Sequence, residues 1–307
     1  MRCRPLIYCW RGGQRSRSLA IVLQEIGLQP TLLYGGYKEY RRLVRAALCQ
    51  ETGEDHLRHF QLVRVSGPTG SGKSLVLESL ERRGQQVQYS TVQYSTVQYS
   101  THTLHVQVLH LELLARHKGS VLGQYPGQLQ PSQKMFETLL YCKLITEFST
   151  SKVVWVENES SKIGSLIIPL RVWRRMGRSP RVQLSVSLED RVQFILTDYH
   201  YLCSDLYRPE LTQILTSLER YAGQKKSLHW VELVSQGRYR DLVRDLIVNY
   251  YDLNYKKPSL EAAETFELEE GILQEKERLL ESPLITDLVT FGQNIFESEA
   301  DKLVVKL

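Results

Sequence analysis

The sequence predicts an α/β fold with a parallel sheet, because two stretches run in the order apolar strand, glycine-rich loop and helix. The first has a strand at residues 5–8 and an apolar helical pattern that begins near Leu19. The second has a strand at residues 62–65 and a helix at residues 75–82. A further apolar run at residues 153–156 is typical of a strand buried on both faces.

We expect three segments: a partial α/β unit at 1–50, a parallel-sheet domain at 60–255 and an acidic, helical C-terminal tail at 256–307. A chain of 307 residues, 42% hydrophobic and 24% charged, is long enough for one large core and an appendage. The five cysteines contain no Cys-x-x-Cys pair, so neither a disulfide framework nor a zinc site is indicated. Without an apolar run of membrane-spanning length or a signal-peptide pattern, we expect a cytoplasmic protein with no membrane contact.

The first loop contains a cysteine in a setting that suits a reactive thiol. Cys9 follows the strand and precedes Arg11, Gly12, Gly13 and Arg15 at the start of the helix. Backbone N–H groups at the head of a helix lower the pKa of a thiol, and we expect the two arginines to lower it further. This pattern predicts a nucleophile or a carrier of a transferable chalcogen atom; a buried structural cysteine is the alternative.

The second loop fits the phosphate-binding pattern G-x-x-x-x-G-K-[ST], the P-loop, at every fixed position. The predicted phosphate-binding residues are Gly67, Gly70, Ser71, Gly72, Lys73 and Ser74. Glycines let consecutive N–H groups surround phosphate oxygens, the lysine supplies a positive charge, and the Ser74 hydroxyl suits a Mg²⁺ ligand. The motif identifies a phosphate rather than a reaction, and a Gly/Ser-rich turn before a helix is the alternative.

Residues 87–101 repeat Val-Gln-Tyr-Ser-Thr three times. The codons GTA-CAG-TAC-AGT-ACA encode this pentapeptide and consist of the unit GTACA, so we hypothesise a microsatellite read in frame. It would form an insertion at about 85–106, between the P-loop helix and the next strand. Its uncharged, β-prone composition favours a hairpin arm or an exposed, aggregation-prone loop.

Charge is distributed unevenly along the chain. The net charge of +5 divides into +11 for the first 255 residues and −6 for the rest. Arg171, Arg174, Arg175 and Arg178 form a basic cluster near Trp173. Such a cluster predicts binding to a phosphate backbone such as that of tRNA, and a solvated helix face is the alternative.

Two acidic residues follow the apolar run at 153–156. Glu157 ends the predicted strand and Glu159 comes shortly after it. A carboxylate at the carboxyl end of a parallel strand next to a P-loop can position a metal ion or a water. A solvated glutamate at a strand end is the alternative, and no cluster in the sequence indicates a dedicated metal site.

The two loop motifs together resemble those of one known family. Cys9-Trp-Arg-Gly-Gly-Gln-Arg-Ser16, followed by Leu33-Tyr-Gly-Gly-Tyr37, is similar to the second half of a rhodanese domain, and a P-loop domain in the same chain resembles the tRNA 2-selenouridine synthase family. Other similar segments are Val108 to Ser120, Gln130-Pro-Ser-Gln133, Val154 to Ser160, Lys162-Ile-Gly164, and Tyr250-Tyr-Asp252 with Tyr255.

The resemblance implies replacement of sulfur by selenium in the wobble 2-thiouridine of tRNA, with selenophosphate and geranyl diphosphate as co-substrates and an S-geranylated intermediate. Carried over by position, Cys9 would handle selenium, and the P-loop would hold a diphosphate, with Mg²⁺ as a further candidate ligand. The partner implied is tRNA, and no protein partner is evident from the sequence.

The sequence also departs from the family pattern. Little precedes Cys9, so we expect the first half of the rhodanese domain to be missing and little selenation by the chain as given. His110, Lys118 and Asn158 stand where the family has an acidic residue, arginine and aspartate. Two other functions therefore stay open: a P-loop kinase or NTPase, and a catalytically inactive tRNA-binding fragment.

Overall fold

A computed structural model describes residues 3–49, 56–90, 106–148, 153–254 and 263–304 of the chain. The repeat tract lies outside these residues from residue 91 onward. Residues 87–90, the first four of the tract, belong to the helix that follows the P-loop and ends at Ser90. The predicted hairpin or loop at 85–106 therefore stays a prediction for the part not described.

Five parallel strands form the central sheet, which confirms the predicted α/β fold. The described residues contain these strands in chain order: β1 Leu6–Ile7, β2 Thr31–Leu32, β3 Gln61–Ser66, β4 Gln107–Leu109, β5 Val153–Glu157, β6 Lys162–Ile163, β7 Leu166–Ile167, β8 Arg181–Ser185 and β9 Glu264–Glu267. The pairs β1–β2 and β6–β7 form two small separate sheets. The order across the central sheet is β4, β5, β3, β8, β9. Val65 of β3 pairs with Glu157 of β5, so the P-loop and Glu157 leave the same edge of the sheet.

Helices account for most of the remaining described residues, and none of them is long and apolar enough to cross a membrane. The helices are α1 Gln14–Glu25, α2 Gly36–Cys49, α3 Lys73–Ser90, α4 Leu111–Ala115, α5 Gln133–Cys142, α6 Leu170–Arg178, α7 Leu188–Asp198, α8 Arg208–Ser217, α9 Glu219–Ala222, α10 Gln224–Ser235, α11 Tyr239–Leu246, α12 Asp252–Asn254, α13 Lys276–Glu281 and α14 Pro283–Val304. Short 3-10 turns lie at His56–His59, His200–Cys203 and Ile272–Gln274, and π-helical turns at Lys143–Glu147 and Ile247–Tyr251.

The two faces of the sheet bury different helices, as alternation of side chains along a strand requires. Val63 and Val65 of β3 face a core that includes residues of α3, α13 and α14. Leu62, which precedes Val63 and points to the opposite face, packs in a second core with residues of α2, α5 and α6. Helices on both faces of a parallel sheet are the arrangement that its doubly buried strands need.

A helical unit lies between β8 and β9 in the sequence. Its core contains apolar residues of α8, α10 and α11, with Trp230 fully buried at the centre. The indole N–H of Trp230 donates to Asp245 Oδ2 at 2.6 Å, so its polar atom is satisfied. The π-helical turn that follows α11 brings Tyr250 and Tyr251 to the cleft beside the P-loop.

The first part of the chain forms a small unit with an exposed apolar surface. The strands β1 and β2 pair in parallel, and the buried residues of α1 are Ser16 and Ala20 alone. Large apolar side chains that stay exposed there are Leu6, Tyr8, Trp10, Leu19, Ile21, Val22, Ile26, Leu32 and Tyr34. The partial α/β unit at 1–50 stays a prediction.

Helix α2 connects this unit to the central domain. Val44 and Leu48 are fully buried in the core formed with α5 and α6. Arg41 pairs with Glu137 and donates to the Lys134 carbonyl at 3.1 Å. Helix α2 therefore packs as part of the domain that carries the P-loop.

The C-terminal segment contributes to the sheet as well as to the helices. Helix α14 confirms the helical character predicted for the tail at 256–307, but the prediction is wrong for Glu264–Glu267, which form a strand. Ala263 N–H donates to the Arg181 carbonyl at 2.7 Å and Leu268 N–H to the Ser185 carbonyl at 2.9 Å, which fixes β9 beside β8. The sequence of this exposed edge strand contains two glutamates and lacks the apolar pattern that predicts a strand. The central sheet therefore extends beyond the predicted domain boundary at residue 255.

We expect Leu48→Ala to lower the free energy of unfolding by about 2–5 kcal/mol, because it opens a cavity where α2 packs on the central domain. Leu43→Ala on the same helix is the matched control, since Leu43 is 48% exposed and should change stability by less than about 1 kcal/mol. Urea unfolding of both variants measures the difference. Equal effects would show that α2 does not share the central core.

Candidate active site

The P-loop runs from the end of β3 to the first turn of α3, as the motif predicts. Gly70 and Gly72 have φ of +82° and +73°, which other residues rarely adopt. A Cβ on Gly72 would lie 2.5 Å from Leu273 Cδ2, and one on Gly67 would lie 2.2 Å from Ser71 Oγ. Glycine is therefore required by conformation at two positions and by close neighbours throughout the loop.

Two polar P-loop side chains are placed to meet an anion. Lys73 Nζ donates to the Gly67 carbonyl at 2.9 Å, so the ammonium lies against the loop. Ser71 is fully buried and its hydroxyl has no hydrogen-bond partner among the described residues. A phosphate oxygen bound in the loop would accept this hydrogen bond.

Three carboxylates from two segments, α4 and the end of β5, meet beside the P-loop. Ser74 Oγ donates to Glu112 Oε2 at 3.1 Å, and the Leu111 N–H donates to Glu157 Oε2 at 2.7 Å. A Cβ on Gly119 would lie within 2.8 Å of both Glu112 and Glu159 oxygens, which places these two carboxylates together. Glu157 is only 1% exposed, so it is a buried group rather than a solvated strand end.

The ionisation of Glu112 and Glu157 is disfavoured. Burial and the neighbouring charge of Glu159 raise the pKa of Glu112 to about 8. Burial and the charge of Glu112 also raise the pKa of Glu157 well above its usual range. A cation that enters the cleft would stabilise the ionised forms and release protons on binding.

Sequence reasoning missed Glu112, although it lies in the segment Val108–Ser120 that carries the resemblance. It also left His110 without a role. His110 Nε2 lies 3.2 Å from Glu81 Oε2, and its Nδ1 lies 3.9 Å from Glu157 Oε1. The histidine therefore joins a carboxylate of α3 to the buried carboxylate of β5.

Arg191 is a further residue that the sequence did not single out. Its Nε donates to the Thr69 carbonyl of the P-loop at 2.9 Å. Its two terminal nitrogens donate to both oxygens of Asp252, at 3.0 and 2.6 Å. Only the Tyr250-Tyr-Asp252 resemblance signalled this contact, which joins the P-loop to the segment after α11.

A lysine surrounded by tyrosines borders the same cleft. Lys118 Nζ lies 2.7 Å from Asp198 Oδ2 and 4.1 Å from the centroid of the Tyr199 ring. Tyr125 and Tyr201 rings lie further out, at 5.5 and 5.7 Å. The ammonium is therefore held by one carboxylate and by ring faces.

Two other segments that carry the resemblance contain Gln130 and Gly164, which do not line the cleft. Gln130 Nε2 donates to the Ala115 and Ile163 carbonyls, both at 3.1 Å, and its Oε1 accepts the Ser165 N–H at 2.7 Å. A Cβ on Gly164 would lie 2.3 Å from Gln130 Oε1. These residues fix the loop after β5 rather than contact a ligand.

The Cys9 loop is held by the start of α2. Tyr37 N–H donates to the Cys9 carbonyl at 3.0 Å. Gly12 and Gly36 have positive φ, and a Cβ on Gly36 would lie 2.1 Å from the Cys9 carbonyl oxygen. The Gly-Gly pair at 35–36 is therefore needed for the close approach of the two loops.

The Cys9 thiol is acidic, as the sequence predicts, but for a different reason. The Ser16 hydroxyl, 3.3 Å from Sγ, is the main cause that lowers the thiol pKa to about 6, with support from backbone N–H groups that include Gly13 at 3.2 Å. Arg11 and Arg15 are exposed, and their charges are not among the causes.

The basic cluster of α6 divides into two kinds of arginine. Arg171 is 9% exposed and donates to the Ala47 carbonyl, and Arg175 donates to the Arg58 and Phe60 carbonyls at 2.9 and 2.8 Å. These two guanidinium groups form hydrogen bonds with backbone carbonyls of the protein. Arg174 and Arg178 lie on the exposed side of the helix, and tRNA contact stays a prediction for them.

The fold and the cleft define a P-loop protein of the parallel α/β class. A family model described as the tRNA 2-selenouridine synthase AAA domain matches residues 60–281. The chain therefore belongs to the tRNA 2-selenouridine synthase family.

Curated relatives agree with this assignment. Proteins named tRNA 2-selenouridine synthase from Alcanivorax borkumensis and Pseudomonas fluorescens are 28% and 30% identical, each over 81% of this chain and 67% of the relative. The Chromohalobacter salexigens protein of the same name is 34% identical over 72% of this chain and 55% of the relative. The chain thus spans between about half and two thirds of these relatives.

We expect alkylation of Cys9 by iodoacetamide to follow a titration midpoint near pH 6, because the thiolate is the reactive form and predominates above that pH. Ser16→Ala should move the midpoint upward, since it removes the main hydrogen bond to the thiolate. Peptide mass spectrometry across pH 4–10 measures both. Cys203 is the internal control, because burial raises its pKa. A Cys9 midpoint at or above that of Cys203 would contradict the loop geometry.

Proposed function

We propose that this chain acts in the replacement of sulfur by selenium in the 2-thiouridine of tRNA, with geranyl diphosphate and selenophosphate as co-substrates. One combination of observations supports the proposal. The chain joins a P-loop with a buried carboxylate cluster to a separate loop that holds a thiol with a pKa of about 6. The names of the relatives point to the same modification.

The P-loop would bind the diphosphate of geranyl diphosphate. Its backbone N–H groups, Lys73 and the Ser71 hydroxyl would carry the charge that builds up as the thiouridine sulfur attacks the first carbon of the geranyl group and the diphosphate departs. The cluster also fits Mg²⁺. Ser74 and Glu112 supply the oxygen ligands that Mg²⁺ prefers, beside a phosphate, and the ion would neutralise charge on the leaving group.

Cys9 would act in the second stage, in which selenium from selenophosphate bonds to carbon 2 of the base and the S-geranyl group leaves as geranyl thiolate. Water would then cleave the bond between selenium and phosphorus and release phosphate. A thiolate that is already formed at neutral pH is the state required for this role. The described residues that line the P-loop cleft include none from 3–49, so the two stages would use different loops. The tRNA must then present its wobble base to each loop in turn.

A P-loop kinase or NTPase is the second candidate. The observation that favours it is the arrangement of Ser74, Glu112 and Glu157, since a P-loop serine and acidic residues beside it position Mg²⁺ and water in NTPases. Steady ATP hydrolysis that persists in Cys9→Ser and is abolished in Lys73→Ala, without any change in tRNA, would support that reading.

The decisive assay incubates the chain with thiouridine-containing tRNA, geranyl diphosphate and selenophosphate, followed by mass spectrometry of the nucleosides. Lys73→Ala should lower the yield of geranylated nucleoside at least 10-fold, because the diphosphate loses its main counter-charge. Cys9→Ser should keep geranylation and lose any selenouridine that the parent forms. Lys225→Ala is the charge-matched control, because Lys225 is exposed on α10 and does not line the cleft. Geranylation unaffected by Lys73→Ala would refute the role of the P-loop.

A second measurement concerns tRNA binding by α6. Replacing Arg174 and Arg178 with glutamine should lower the slope of log affinity against log salt by about 0.7 to 0.9 for each phosphate that the variant no longer neutralises. The control replaces Arg208 and Arg238, which already pair with Asp205 and Asp241 on the surface. A slope that matches that of the parent would show that this side of α6 faces solvent in the complex.

A further inference from the structure

The indole ring of Trp10, the residue after Cys9, is open to solvent. Trp10 is 51% exposed, although tryptophan is largely buried in most folded proteins. Its ring centroid lies 5.4 Å from that of Tyr37, with the two ring planes 37° apart. Tyr37 therefore supports the indole while about half of the Trp10 surface stays available for contact with a ligand.

The loop fixes Trp10 directly beside the acidic thiol. The Cys9 carbonyl accepts the Tyr37 N–H at 3.0 Å, and the Trp10 carbonyl accepts the Lys38 N–H at 2.9 Å. Consecutive N–H groups at the start of α2 thus hold two consecutive loop residues, whose Cα atoms are about 3.8 Å apart. Cys9 is itself partly exposed. A planar group on the indole can therefore extend toward the sulfur.

Exposed basic side chains accompany the ring. Arg11, Arg15 and Arg17 are all exposed, and none of them forms an ion pair with another described residue. An apolar partner surface would leave these charges without counter-ions, whereas a nucleic acid supplies a phosphate for each. An exposed aromatic ring beside unpaired cations is the combination with which proteins bind single-stranded nucleic acid.

We propose that the indole of Trp10 stacks on the wobble base of the tRNA and holds it at the Cys9 thiol. The assignment rests on the proposed function and adds the residue that positions the base. A base in a single-stranded loop presents a π face on which an aromatic ring can stack. Arg11 and Arg15 would contact neighbouring phosphates, which add affinity without selecting the base.

An anticodon stem-loop RNA with 2-thiouridine at the wobble position is the probe. Trp10→Leu keeps an apolar side chain against Tyr37 but removes the π face, and it should lower RNA affinity at least about 5-fold. Trp10→Phe keeps a ring and should stay within about threefold of the parent. A blunt RNA duplex of equal length offers phosphates without unstacked bases, so its affinity should not respond to Trp10→Leu.

Tyr221→Leu is the matched control for the loss of an exposed aromatic ring. Tyr221 is 61% exposed, belongs to α9 and does not line the P-loop cleft. This variant should bind the stem-loop as the parent does.

Two further measurements locate the contact. The stem-loop should quench the fluorescence of the parent, and Trp10→Phe should bind without this quenching, since both proteins retain the other tryptophans. Saturating stem-loop should also slow iodoacetamide alkylation of Cys9 without slowing that of Cys203. The titration midpoint of Cys9 should stay near pH 6 in Trp10→Leu, which shows that the loop remains folded.

The outcomes separate the stacking role from the proposed function. Equal RNA affinities of the parent and Trp10→Leu, quenching that persists in Trp10→Phe, or a Cys9 midpoint displaced in Trp10→Leu would overturn the stacking role and leave the proposed function standing. Alkylation of Cys9 that slows with rising protein concentration and no RNA would show that a second copy covers the ring, and would also overturn it. Absence of any Cys9 protection by the stem-loop in the parent would instead overturn the tRNA role of the Cys9 loop, and the stacking role with it.

Discussion

The parallel pairing of β3 with β5 is the constraint on which the site depends. Because Val65 pairs with Glu157, the P-loop and the acidic segment emerge side by side from the same edge of the sheet. The carboxylate of Glu157 then accepts the N–H of Leu111 at the start of α4, which fixes the chain after β4 to the same edge. Glu112, the partner of Ser74, follows directly from this contact.

The cleft contains a lysine, a hydroxyl group with no partner in the described part of the chain, and buried carboxylates close together. Glu112 and Glu157 are both buried; the charge of Glu159 adds to the raised pKa of Glu112, and the charge of Glu112 adds to the raised pKa of Glu157. Lys73 lies against a backbone carbonyl, and Ser71 has an unmet hydrogen bond among the described residues. A diphosphate with a divalent cation would satisfy the lysine, the hydroxyl and the carboxylates at once.

The helical unit supplies side chains that line the cleft beside the P-loop. A phosphate-binding loop recognises any phosphate, so selectivity must come from the walls beside it. Arg191 joins the loop to Asp252, and the turn before Asp252 supplies Tyr251 to the cleft beside the P-loop. The same contact therefore holds the P-loop and this wall of the cleft in a fixed relation.

Sequence alone identified the α/β class, the P-loop, the acidic thiol of Cys9 and the helical C-terminus. Each depends on neighbours in the chain: a strand, a turn that needs glycine and a helix head are local features. It could not assign the cause of the Cys9 pKa, because only the folded loop shows that the Ser16 hydroxyl lies beside the sulfur. It also placed β9 within a helix, since glutamates on an edge strand give no apolar alternation.

Only the tertiary structure showed that Arg171 and Arg175 donate to backbone carbonyls while Arg174 and Arg178 stay exposed. The sequence does not distinguish the four arginines. Their exposure differs because one face of α6 packs on the core and the other faces solvent. The contacts of Glu112 and Arg191 likewise join residues far apart in the chain. Sequence determined which groups can carry the chemistry, and long-range packing decided which of them meet, because contacts between distant segments leave no local pattern.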